Sequence, residues 1–248
     1  MEGNCIALNI KIQKWGKSHV SQEGKNIKDY KISLWLFIVA NLAVYLCLAN
    51  SNILDLDHIN ETYKGLLIQN GIIASTSTLI TFILNGLLPS NVKAMLAFWR
   101  IKNVYPGCRI FTKIINQDPR IDKDILIQMY GELPVDPVMQ NKLWYRIYKP
   151  IEFDTMIFDS HRNFLISRDL TGISFIFFLI YSVSALISKF VFSINFHWIV
   201  PYILALLIQY VVLSIVCRNY GNRFACNVLA KVCSTYKINT HENVPIKE

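Results

Sequence analysis

The chain has 248 residues, 53% of them hydrophobic and only 17% charged, against about 25% charged in soluble domains. With a mean hydropathy of +0.33, this composition argues against a disordered chain, a coiled coil and an ordinary soluble enzyme. The remaining charge is lopsided, 25 Lys and Arg against 17 Asp and Glu for a net +8. In so apolar a chain that excess points to anionic lipid and cytoplasmic loops before nucleic acid.

Residues 1–31 hold six lysines, Lys11, Lys14, Lys17, Lys25, Lys28 and Lys31. Ile6, Leu8, Ile10 and Ile12 alternate within them as in a short strand. A charge-free run then extends from Ile32 to Leu54, long enough for the roughly 20 residues that cross a bilayer. Its long basic lead and the lack of an A-x-A site predict a retained anchor, not a cleaved signal peptide. The second charge-free run, Gly65 to Val92, is rich in Ser, Thr and Asn, and Pro89 ends its membrane part. Gly71-x-x-x-Ser75 makes a small-residue face that Thr78 extends. Such a face either packs the protein's own bundle or joins identical copies and lines a wet path. Asn41 and Gln209 suit either arrangement.

Segment 93–169 is the only part outside these runs large enough to fold on its own. Val92 to Lys102 reads as a helix prolonging the second span, with Ser90 as its N-cap and a stop at Pro106-Gly107. Asp122 to Tyr130 reads as a helix closed by Gly131. Asp136-Pro137 pairs an N-cap with Pro at the first helical position, starting a helix that runs to Lys149. Phe153 to Asp169 has helical spacing and is expected to continue unbroken into the third charge-free run, Leu170 to Ser188. A fourth run follows from Phe190 to Cys217. In the tail, 218–248, Phe224, Val228, Leu229, Val232 and Tyr236 share one helix face. That face suits either the inner leaflet or the 93–169 unit.

The fold expected is therefore an all-α membrane protein of four transmembrane helices, with a small helical cytoplasmic domain between the second and third. Its parts are 1–31, 32–92, 93–169, 170–217 and 218–248. Of the 25 basic residues, all but Lys64 and Lys189 fall on one side of such a four-span chain. By the positive-inside rule both termini and the 93–169 domain face the cytoplasm.

Catalytic signatures are lacking. The six cysteines form no CxxC and the five histidines no HExxH, and there is no phosphate loop, GxSxG or GxGxxG. No cofactor and no metal site is expected. Asp159-x-His161-Arg162 brings a carboxylate, an imidazole and a guanidinium together, but i and i+2 point apart on a helix, which favours a polar face. Arg109, Asp118 and Arg120 suit either an anion pocket or loop-fixing ion pairs. Lys142 to Lys149, with Trp144 and Arg146, mixes cations and aromatics as single-strand binders and interfacial helices both do. No Asp, Glu, Lys or Arg interrupts a span, which argues against a proton relay or an ion-coupled carrier.

In size, basic faces and paired hydrophobic spans, and along Arg109 to Arg168, the chain resembles the transmembrane effectors of bacterial retron antiphage defence systems. The resemblance implies an inner-membrane protein, not an enzyme, held silent by a cytoplasmic protein or ribonucleoprotein. In those systems that partner is a reverse transcriptase with its RNA–DNA hybrid. Once released, such effectors damage the inner membrane and end growth before phage mature. The readings set against this one are a non-catalytic anchor for a soluble complex and an enzyme acting on lipid or nucleotide through Asp159 and His161.

Overall fold

The computed structural model describes residues 30–45, 80, 82–190 and 199–242, and the chain divides into two units, Met1–Thr81 and Phe82–Glu248. In the first unit a single apolar helix, α1 (Tyr30–Tyr45), is described. Leu34, Ile38 and Asn41 form its buried stripe at helical spacing. Asn41 Nδ2 donates to the Phe37 carbonyl of its own helix at 2.9 Å. The strand expected at 6–12 and the face of Gly71, Ser75 and Thr78 lie outside the described residues.

The second unit opens with a helical stretch at 82–87 and then α2 (Ser90–Phe98). Between them Pro89, with φ −58° and ψ 151°, breaks the helix. So α2 does not prolong the preceding helix as expected, because Pro89 is extended and lacks a donor for it. Trp99 ends α2 in the left-handed region at φ 51°, an uncommon state for so bulky a residue. Two contacts hold it there: its Nε1 donates to Tyr210 Oη at 3.1 Å, and the Arg218 guanidinium lies 3.8 Å over its ring.

Short 3₁₀ and π turns between Pro106 and Gln117 lead to α3 (Lys123–Tyr130) and α4 (Pro137–Tyr148). Both helices begin and end as the sequence dictates. The Asp122 carboxylate accepts from the amides of Asp124 and Ile125, and Gly131 closes α3 at φ 79°. The Asp136 carboxylate accepts from the Met139 amide at 2.9 Å ahead of Pro137.

Two long helices dominate. α5 (Thr155–Phe190) has 36 residues and α6 (Ile199–Glu242) has 44, about 54 and 66 Å at 1.5 Å per residue. α5 passes Asp169 without a break, as expected. α6 likewise passes Arg218 to Gly221, so the tail is the lower half of one helix, not a separate element. The pair is antiparallel throughout. Lys231 reaches Asp154 at one end, Gln209 reaches Ser174 further along, and Tyr202 meets Tyr181 near the other end.

Each long helix has two halves of different character. Below Asp169 and Cys217 they carry charges and pack with α2, α3 and α4 around a core that includes Ile110, Leu126, Ile147, Ile157, Val228 and Leu229. Above, they are charge-free up to Lys189 in the last turn of α5, and Leu179, Ile180, Val183, Leu204, Ile208 and Val212 are exposed. Each holds an 18-residue stretch long and apolar enough to cross a membrane. Only 28% and 17% of those stretches are buried, whereas a core helix of a soluble protein would be buried over most of its length. Two of the four charge-free runs of the sequence thus fall on helices long enough to span a membrane among the described residues.

Candidate functional site

The lower halves of α5 and α6 meet α4 in an aromatic cluster. Helical spacing on α4 turns Trp144, Ile147 and Tyr148 inward and leaves Tyr145, Arg146 and Lys149 exposed. Trp144 stacks on Tyr148 (centroids 5.5 Å apart, planes at 4°) and meets Phe224 of α6 edge-on at 5.3 Å. Its indole Nε1 donates to the Ala225 carbonyl at 3.2 Å. The His161 ring of α5 stacks on Phe224 at 4.8 Å, and its Nδ1 shares a hydrogen bond of 3.2 Å with Tyr148 Oη.

A pocket of about 440 Å³ opens against this cluster, within the size range of small-molecule sites. Trp144, Tyr148, Phe164 and Phe224 make it apolar, and Asn141, Glu152, His161 and Arg168 place a few polar groups on its wall. Burial pushes the Tyr148 hydroxyl up to about 12, so it stays protonated at neutral pH. Burial, and next the charge of Arg168, hold the His161 imidazole below its ordinary value, which keeps it neutral there. Gly107 lines the pocket where a Cβ would collide with the Asn141 amide and come within 3.3 Å of the Trp144 ring. Such a wall suits a small, largely apolar group with a polar end.

One wall residue ties the pocket to the charge-free halves. Arg168 donates through Nε and Nη2 to Asp169 Oδ1 at 2.9 and 2.8 Å. Lys93 of α2 approaches the same oxygen at 3.4 Å, with Lys93 and Asp169 side chains 5% and 3% exposed. Lys93 Nζ also donates to the Asn85 carbonyl and amide oxygens, both at 2.6 Å. Desolvation lowers the Lys93 ammonium below its usual range, and Asp169 opposes that shift. The stem of Lys93 packs so near Gly172 that a Cβ there would lie 3.1 Å from its Cγ.

Of the residues singled out from sequence, Trp144 and His161 come together in the pocket. Arg146 is exposed on the far face of α4. Arg162 lies on another face of α5 from His161, paired with Asp159 at 3.5 Å. The triad Asp159, His161 and Arg162 is thus split between two sides of one helix. Arg109 lies 5.5 Å over Phe98 and donates to the Val104 carbonyl. Arg120 instead forks onto Asp118 at 2.9 and 2.7 Å, holding that carboxyl below the usual carboxylate range. Arg120 also donates to Asn227, which donates to Ser160, so the Asp118–Arg120 pair fixes a loop to α6. Arg120, Asn227 and Ser160 line, with Asp159 and Arg223, a second, polar cavity of about 280 Å³.

Sequence reasoning passed over Phe224, Glu152 and Asn141 as pocket groups, and Lys93, Arg168 and Asp169 as a cluster. Lys93 and Asp169 did carry a signal, because each is the first charge beside a charge-free run. Among the described residues no three His, Cys, Asp or Glu side chains gather as a metal site. Cys108, Cys217, Cys226 and Cys233 are buried free thiols. Compared with protein-family models, curated proteins and solved structures, the chain matches none.

Proposed function

We propose that this chain is a bacterial inner-membrane effector of antiphage defence, with four spans, both termini cytoplasmic and no catalytic activity. A cytoplasmic regulator acting on the pocket-bearing unit shifts the helices above it from a silent bundle to a leaky one. The observation that carries this reading is the Arg168–Asp169–Lys93 junction. Arg168 belongs at once to the pocket wall and to the buried ion cluster where the charge-free helices begin. An anionic or hydrogen-bonding group entering the pocket competes with Asp169 for Arg168. That competition changes the charge balance on Lys93, and α5 carries the change upward without a flexible link. The excess of basic residues on one side supports the orientation, and the sequence resemblance supports a retron ribonucleoprotein as regulator, with the bilayer as target.

The second reading, a non-catalytic anchor, draws on the same continuity, because helices rooted so firmly in the lower core also make a rigid pedestal. Induced expression in bacteria with a voltage-sensitive dye separates the two. Wild type and Asp169→Asn are followed alone and during phage infection. Depolarisation by either form, before lysis, supports the effector. Intact membrane potential in every condition, with both proteins in the membrane fraction, leaves the anchor.

A further inference from the structure

Where α2 meets α6, arginines gather without acid partners. The Arg218 guanidinium covers the Trp99 ring at 3.8 Å and donates through Nε to the Ala97 carbonyl at 2.9 Å. Its Nη2 is buried and has no acceptor. Arg109 lies over the neighbouring Phe98 ring and Arg100 follows Trp99 directly. None of the ion pairs among the described residues involves Arg100, Arg109 or Arg218. Burial holds both Arg109 and Arg218 below their ordinary values, and the charge of Arg100 pushes each the same way. Cations without acid partners, one of them with a buried unpaired donor, call for an oxyanion, and guanidinium forks match phosphate.

The position of the cluster identifies the source of that phosphate. Arg218 is the first charged residue after the charge-free half of α6. Beside it Trp99 is 53% exposed and Ile101 82% exposed. Trp99 also bonds Tyr210, two turns up the apolar half. An amphipathic indole and a bare aliphatic side chain at such a boundary match the headgroup layer of a membrane. A free phosphate would leave both of them bare in water, whereas a phospholipid covers them.

We propose that Arg100, Arg109 and Arg218 form a site for the phosphate of an anionic phospholipid, with Trp99 and Ile101 against its glycerol and acyl chains. The proposal rests on the reading of α5 and α6 as membrane spans, so that reading is checked first. Alkaline carbonate washing of membranes must leave the chain in the pellet; release into the supernatant defeats the span reading itself.

The full chain, purified in detergent, is then titrated with phosphatidylglycerol or phosphatidylcholine and the bound lipid counted by native mass spectrometry. Wild type is expected to favour phosphatidylglycerol about tenfold, the order that a few interfacial arginines supply. R109Q with R218Q is expected to bring that ratio to about one while K123Q with K237Q, both exposed and at the far end of the lower unit beside Asp122, keeps it. Where the double variant does not fold, R100Q, an exposed arginine, serves in its place with an expected loss of about threefold. Equal binding of the two lipids, selectivity unchanged in the arginine variants, or displacement of the lipid by millimolar glycerol phosphate each overturns the proposal.

Discussion

Lys93 and Asp169, which bound two separate charge-free stretches of the sequence, form one ion pair 3.4 Å long with both side chains nearly inaccessible. Removing one partner of such a pair strands the other charge, at a cost of about 3–5 kcal/mol. Asp169 also receives Arg168, so it is the centre of the cluster and its loss strands two cations. Asp169→Asn is therefore expected to destabilise by about 3–5 kcal/mol, and Lys93→Met by less, since Arg168 still faces Asp169. Chemical denaturation in detergent measures both. The pair K93M with D169L is expected to recover part of the loss, because Lys93 is no longer stranded while Arg168 still is. A D169N variant as stable as wild type would show that the cluster adds nothing to the fold.

Much of this architecture was legible because it depends on local chemistry. The caps at Asp122 and Asp136, the stops at Gly131 and Pro89, and the apolar lengths of α5 and α6 follow from side chains within a few residues of each site. The unbroken passage of α6 through Gly221 was not legible in that way. A glycine three residues past the first charge reads as a helix end, yet Gly221 lies within α6, where the distant Phe98 and Phe164 rings pack against it. The pocket was half legible for a related reason. Trp144 and His161 stand out as residue types, whereas Phe224 on the tail and Glu152 beside α4 join them only once the long helices fold back antiparallel.

His161 gives a pH dependence with a definite sign. Burial against Phe224 and Tyr148, together with Arg168, lowers its folded pKa, and Glu152 opposes the shift more weakly. In the unfolded chain the imidazole titrates near the ordinary histidine value of 6.5. Between that value and the lower folded one the unfolded state holds more protons, so stability rises with pH. The contribution is full above about pH 6.5 and is lost as pH falls toward the folded pKa. Melting curves at pH 7.5 and 5.5 are expected to show a larger drop for wild type than for His161→Phe. Equal drops would mean that His161 titrates in the folded protein as it does in the unfolded one.

Gly221 is expected to be intolerant of even one methyl. A Cβ there would lie 2.8 Å from Phe98 Cζ and 3.1 Å from Phe164 Cε2, and both rings are buried. Overpacking of this kind costs about 1–3 kcal/mol, whereas alanine in an open helical position stabilises by up to about 1 kcal/mol. The clash outweighs the propensity, so Gly221→Ala is expected to destabilise, and Phe98→Leu in the same background to recover part of the loss. Denaturation midpoints of the two single variants and the double variant test this. A more stable Gly221→Ala would show that helix propensity, not ring contact, governs the site.

The continuity of α5 has its own test, tied to the proposed function. Leu170 sits where the charged and charge-free halves of the helix join, one residue beyond Asp169. Proline there removes a backbone hydrogen bond, crowds the preceding turn and kinks the helix at about 3 kcal/mol, while alanine leaves it straight. Under whichever condition wild type depolarises the membrane, Leu170→Ala is expected to do the same. Leu170→Pro is expected to reach the membrane fraction in equal amount and leave the potential intact. Two readouts are needed, protein in the membrane and dye response, because a variant that simply misfolds fails both. Full depolarisation by Leu170→Pro would mean that the lower unit does not act through a rigid α5, and that its signal reaches the upper helices by way of α6 or α2.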